Sequence, residues 1–201
     1  MLFEMKLQVN HLDRALSAVR QALSKPDLLL GSVGESLLRV NRDRHNAGLA
    51  PDGSKWKPLS PLTLGSAIWK AQGGAYTKSG KLRKSMSLAV AKKVKARRSR
   101  ILYDSGDMLN SFHYQVMAAR LTLGFDGTRE SNLAAWHHSG TKPYEIKPKN
   151  AKALAFAGIV TKRVHHPGLP SRKLVGLPDS DRRLIAEVSE DYLLVILNSV
   201  R

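Results

Sequence analysis

The amino-terminal part of the chain repeats apolar residues at the three- and four-residue spacing of amphipathic helices. Asn10 is suited to cap a first helix, which Lys25-Pro26 ends because proline cannot continue it. Asp27 can cap a second helix that ends within the polar stretch VNRDRHNAG. A third, shorter helix begins at Ser60-Pro61 and stops at Gly73-Gly74. The apolar faces of the first two helices are Leu12, Ala15, Leu16, Val19 and Leu23, and Leu28, Leu30, Val33, Leu37, Leu38 and Val40.

Further along the chain, the spacing of apolar residues shortens to the two-residue alternation that is typical of β-strands. SFHYQVMAARLTLGFDG predicts a β-hairpin, and YEIKPK and KALAFAGIV predict two more strands. A short helix, SNLAAWHHSG, lies between them and ends at Gly140. Pro178-Asp179 begins the last helix, which has an apolar face through Ile196. This order predicts an α+β fold: a mostly antiparallel sheet packed with amino-terminal helices and a long carboxy-terminal helix.

Composition narrows the class of protein. The chain has 201 residues and is 42% hydrophobic, enough for a buried core, and we expect a single domain over residues 1–201. It has no Cys, which excludes disulfides, thiolate catalysis and cysteine-ligated metal centres. No secretory signal and no apolar run of the roughly 20 residues that span a bilayer is found. We therefore expect a soluble protein made in a cytoplasm, without membrane contact.

The charge is strongly positive and unevenly distributed. The formal net charge is +17, and no acidic residue lies between Asp52 and Asp104, where thirteen basic residues occur. A basic run in this part could contact a polyanion such as DNA, although it lacks interleaved aromatic residues for base stacking. A solvated arm and contact with an acidic protein are the alternatives. The residues of the basic run are Lys92, Lys93, Lys95, Arg97, Arg98 and Arg100.

The stretch VHHPGLPSRKLVGLPDSDRRLI, from Val164 to Ile185, raises four alternatives: a metal site, a phosphate cradle, the rim of an active site, or a rigid loop that fits another protein. Two histidine pairs, His137-His138 and His165-His166, could converge on a metal, but adjacent side chains point in different directions. No nucleophile elbow and no phosphate-binding glycine loop is found. Paired carboxylates are few: they cluster on the last helix, where capping and solvation explain Asp179, Asp181, Glu187, Glu190 and Asp191. We expect no enzyme, no metal and no cofactor.

The carboxy-terminal stretch HHPGLPSRKLVGLPDSDRRLIAEVSEDYL resembles the signature of the phage virion morphogenesis family, or tail completion proteins, of Mu-like contractile-tailed phages. PDGSKWKPLSPLT, ILYDSGDMLNSF and AAWHHSGTKPYEI resemble that family too, in the right order along the chain. The family commonly has Arg-Pro-Phe where this chain has Arg172-Lys173-Leu174. Residues 73–100, which include TKSGKLRKSMS, an echo of YDSGDMLNSFH, are predicted to be a basic inserted arm.

The resemblance implies a structural virion protein that assembles in the host cytoplasm. It would complete or terminate the tail, or join tail to head, as a ring of identical subunits, with a hexamer favoured. Its partners would be tail-tube or head-completion proteins. A nucleic-acid-binding module acting through the basic run is the alternative function. The stretch with Pro167 and Pro170 could instead only cover the subunit's own sheet. The predicted assembly interface comprises His165, His166, Pro167, Gly168, Pro170, Arg172 and Lys173, with Arg172 making a charge-assisted contact.

Overall fold

The computed structural model describes residues 10–74, 79, 81, 85, 87–97, 100–156 and 159–200. These residues form helices, then mostly short strands, then the long last helix, so the α+β class is confirmed, but the stretch KALAFAGIV, predicted as one strand, contributes to two. The helices are α1 Asn10–Ser24, α2 Asp27–Ala47, α3 Pro61–Ala71, α4 Leu88–Arg97, α5 Asp107–Asn110, α6 Thr128–Ser139 and α7 Asp179–Ser199. The strands are β1 Phe112–Met117, β2 Arg120–Phe125, β3 Tyr144–Ile146, β4 Leu154–Phe156, β5 Ile159–Thr161 and β6 Val164–His166.

The β-structure consists of short two-stranded sheets within the described ranges. β1 pairs with β2, β3 pairs with β6, and β4 pairs with β5. The β3–β6 and β4–β5 pairs are antiparallel, and Glu145 lies opposite His165 in the former. The β1–β2 turn has positive φ angles at Ala118 (49°) and Ala119 (56°), which is the backbone sign that a two-residue type I′ hairpin turn requires.

The chain divides into two compact units. The first contains the described residues of 1–41, 112–124 and 177–201, and in it α1 packs against α7. A Cβ atom on Gly34 would lie 2.5 Å from the Tyr114 ring. The glycine within α2 is therefore explained by the close approach of strand β1.

The second unit contains the described residues of 42–111 and 125–176. Its core includes Trp56, Leu109 and Leu174, and Leu174 is only 1% exposed. His45 is buried in the same unit, where its Nε2 lies 2.7 Å from the Leu174 carbonyl oxygen and its ring centroid 5.7 Å from that of Trp56. Leu174, which follows Pro170 by four residues, thus anchors this part of the chain in a core.

Part of the predicted basic arm forms helix α4, and the other described residues of the arm are turns or irregular. Helix α4 packs against α3, and the Ser87 N–H donates a hydrogen bond to Gln72 Oε1 at 3.0 Å. Most of the TKSGKLRKSMS echo lies outside the described residues. The single domain over 1–201 and the inserted arm at 73–100 remain predictions.

Candidate assembly surface

The proline segment, defined as residues 164–172, begins as strand β6 and is then tied to the residues that follow α6. Leu169 N–H donates to Thr141 Oγ1 at 2.8 Å, and Thr141 N–H donates to the Leu169 carbonyl at 3.0 Å. Gly168 has a φ of +83°, and a Cβ atom there would overlap the Thr141 carbonyl oxygen. Its N–H donates to His166 Nδ1 at 3.0 Å. Glycine is required at this position by both backbone conformation and space.

The second half of the segment satisfies the carboxy-terminal carbonyls of α6. The N–H of Arg172 donates to the His137 carbonyl at 2.7 Å, and Ser171 Oγ donates to the His138 carbonyl at 2.7 Å. The last carbonyls of a helix have no partner within the helix. The segment therefore supplies the hydrogen bonds that α6 lacks, and α6 fixes the path of the segment in return.

Arg172 is directed into its own chain. It is 4% exposed, its Nε donates to the Lys57 carbonyl at 2.8 Å, and its Nη2 donates to the Pro58 carbonyl at 3.1 Å. Burial lowers the pKa of the guanidinium, which nevertheless remains protonated at neutral pH. The cation thus joins the proline segment to the loop before α3. The predicted contact of Arg172 with a neighbouring molecule remains a prediction.

An open groove of about 890 Å³ lies between the proline segment and α3. Thr63, Ser66, Ala67 and Lys70 form one side, at the spacing of a single helix face. Apolar residues form most of the remaining lining. Of the predicted interface, His165, His166, Pro167, Gly168, Pro170 and Arg172 line the groove.

Lys173 is the predicted interface residue that does not line this groove. It is exposed, and its carbonyl accepts a hydrogen bond from Trp56 Nε1 at 2.9 Å. Sequence reasoning, in turn, missed the wall from α3 and the loop before it. The available signal was the stretch KWKPLSPLT, which matched the family pattern but was not included in the interface.

The histidines of the two pairs occupy different environments. Burial, and then the charge of Arg172, lowers the pKa of His137, while His138 Nδ1 accepts a hydrogen bond from Leu174 N–H at 3.2 Å. The His166 ring stacks on Tyr144 at 4.8 Å, and the exposed His165 lies 3.9 Å from a Glu145 oxygen. Within the described part of the chain, no group of three His, Cys, Asp or Glu side chains could hold a metal ion.

The basic run is only partly available to a polyanion. Lys92, Lys93 and Lys95 are exposed on α4. The Arg100 guanidinium lies 3.6 Å from the Tyr103 ring centroid and donates to Asn46 Oδ1 at 3.0 Å. The side chain of Arg97 and all of Arg98 lie outside the described residues.

Comparison with known families identifies the chain as a protein of bacteriophage assembly. The model of the phage virion morphogenesis family matches residues 7–94 and again residues 88–194. The chain therefore belongs to the phage virion morphogenesis family, as its sequence motifs indicated. No curated protein and no solved structure matches it. Among the described helices, none is long and apolar enough to cross a membrane.

Proposed function

We propose that this protein completes or terminates the phage tail, or joins the tail to the head, as a ring of identical subunits in the virion neck. The observation that carries the proposal is the family match, which extends from residue 7 to residue 194 in two overlapping parts. The family is one of virion morphogenesis, and a structural role does not require a bond-making site.

The geometry of the proline segment supports a docking role. The segment is held by hydrogen bonds with Thr141, by those it donates to the α6 carbonyls, and by those of Arg172 to the loop before α3, and its residues also line an open groove. A surface that is already ordered loses less conformational entropy when it binds a partner. The segment is therefore suited to contact a neighbouring subunit or the tail.

Electron microscopy of particles made without this protein tests the proposal. We expect full heads beside unjoined or overlong tails, and restoration of normal particles when the wild-type chain is supplied in trans. Joined particles with tails of normal length in the absence of the protein would refute a neck function.

A second candidate function, binding of DNA through the basic run, is favoured by the three exposed lysines of α4. If each lysine contacts one phosphate, replacing all three by Ala should reduce the slope of log affinity against log salt by about 2.7. A matched variant at Lys149, Lys152 and Lys162, which removes three other exposed charges, serves as the control. Equal effects of the two variants, or no duplex binding at low salt, would exclude this candidate.

A further inference from the structure

The groove between the proline segment and α3 is apolar but has a positive rim. The exposed Lys57 and Lys70 line it together with the buried Arg172, and no acidic residue is among the described residues of the lining. Both lysines are exposed, so their ammonium groups are available to a bound molecule. The chemistry of the groove therefore matches a partner surface that combines apolar side chains with carboxylates.

The outer face of α7 has that combination. Glu187, Glu190, Asp191 and Leu194 follow one another at helical spacing and are all exposed, and the adjacent Val195 is 69% exposed. From Leu184 to Ser199 the helix contains three carboxylates and no basic residue, in a chain of net charge +17. This face is acidic and apolar in a protein that is otherwise strongly basic.

We infer that the groove of one subunit binds the outer face of α7 from a second copy of the chain. This inference rests on the proposed ring, and it names the two surfaces that would meet in it. The contact is heterologous, because the groove and the helix face are different surfaces. A repeated heterologous contact generates a ring when its rotation closes. The exposed leucines of α1 fit the groove less well because Arg14 and Arg20 lie between them along the helix, whereas Arg182 and Arg183 of α7 precede its acidic face.

A charge exchange tests the pairing. The groove variant is Lys57→Glu with Lys70→Glu, and the helix variant is Glu187→Lys with Glu190→Lys. Each variant alone should weaken self-association, measured by sedimentation velocity, by about a hundredfold or more, because like charges then face each other. A mixture of the two variants should associate again, since each groove meets a helix face of opposite charge. The chain with all four substitutions should also associate.

A cross-linking experiment locates the contact directly. The chain has no Cys, so Ser66→Cys with Glu190→Cys introduces the only two thiols. We expect a short bismaleimide to produce a ladder of covalent oligomers from purified protein or from assembled particles. Lys92→Cys with Glu190→Cys is the control pair, and it should give far less product.

The outcomes separate this inference from the proposed function. If particles need the protein for neck assembly, but the charge variants associate like wild type and the Ser66–Glu190 pair does not cross-link in particles, the inference is overturned and the function stands. If particles lacking the protein are normal, the function fails whatever the cross-linking shows. Weakened association that is not restored in the mixture also overturns the pairing of these two faces.

Discussion

Replacement of Arg172 is the most direct test of how the proline segment is held. Arg172→Met keeps a side chain of similar length but removes both guanidinium bonds, to the carbonyls of Lys57 and Pro58. Arg172→Lys keeps the charge, but a single ammonium group cannot reproduce the planar arrangement of N–H donors in the guanidinium group. The two variants therefore separate the loss of the charge from the loss of its geometry.

The magnitude follows from the two hydrogen bonds and the burial of the cation. A hydrogen bond to a charged group contributes about 1.5–3 kcal/mol, so the two bonds together contribute roughly 3–6 kcal/mol. Part of this is offset because the methionine variant no longer desolvates a cation, and because Lys57 and Pro58 are exposed enough for water to reach them. We expect Arg172→Met to lower the free energy of unfolding by about 2–3 kcal/mol, and Arg172→Lys by about 1–2 kcal/mol.

Urea unfolding followed by tryptophan fluorescence is the suitable assay. Trp56, Trp69 and Trp136 all belong to the second unit, so their emission reports the unit that contains Arg172. With a urea m-value of about 1.5 kcal/mol/M, the methionine variant should lower the midpoint by roughly 1.3–2 M. Lys173→Met removes the same charge from the neighbouring, exposed position, and should change the stability by less than about 0.5 kcal/mol.

An Arg172→Met protein as stable as the Lys173→Met control would refute this reasoning. It would mean that the guanidinium does not hold the loop before α3. Arg172 would then be free to serve the intermolecular contact for which the sequence first suggested it.

Three further predictions concern stability. Burial lowers the pKa of His45 below its ordinary value of about 6.5. As the pH falls below about 6.5, the unfolded chain therefore takes up a proton before the folded chain does, and the free energy of unfolding should decrease. In His45→Gln the urea midpoint should depend less on pH between 7 and 5, and an unchanged dependence would contradict this. Gly168→Ala should lower the free energy of unfolding in urea by about 3 kcal/mol or more. Gly53→Ala is the control, because Gly53 has a similar φ of +81° but open space around it, and it should lower that free energy by only about 1 kcal/mol. Equal losses of stability would show that overlap with Thr141 is unimportant. Ala118→Asn with Ala119→Gly should raise the free energy of unfolding by about 1–2 kcal/mol, measured by thermal unfolding followed by circular dichroism. Both alanines have positive φ, a conformation that Asn and Gly adopt more readily than Ala. Destabilisation would contradict that turn geometry.

Local signals in the sequence were sufficient to predict where α3 begins and where α6 ends. Ser60 Oγ accepts a hydrogen bond from Thr63 N–H at 3.2 Å, and Pro61 is the first residue of α3, as the capping pattern predicted. Gly140 follows the last residue of α6, also as predicted. These features depend on neighbouring residues only, so periodicity and capping preferences determine them.

The features that depend on distant residues could not be read in the same way. The carbonyls bound by the Arg172 guanidinium are more than a hundred positions earlier in the chain, at separations of 115 and 114 residues. His45 lies in a polar stretch that predicted a helix end, yet it is buried because Trp56, Phe125 and Leu174 surround it. A sequence pattern gives no measure of such burial. The same holds for the groove, whose α3 wall becomes apparent only once the proline segment is placed beside it.

The support of the proline segment and its proposed contact surface reside in different atoms, so the two roles can be separated by experiment. Lys57 and Lys70 contribute exposed ammonium groups to the groove rim, and reversing their charge should weaken self-association while the tryptophan-monitored stability changes by less than about 1 kcal/mol. Arg172→Met should lower stability and association together, because the segment loses the bonds that order it before binding. If both variants instead lower stability and association in proportion, weaker association would follow from partial unfolding alone. The groove residues and the proline segment would then stabilise their own subunit only, and no intermolecular contact would be needed to account for them.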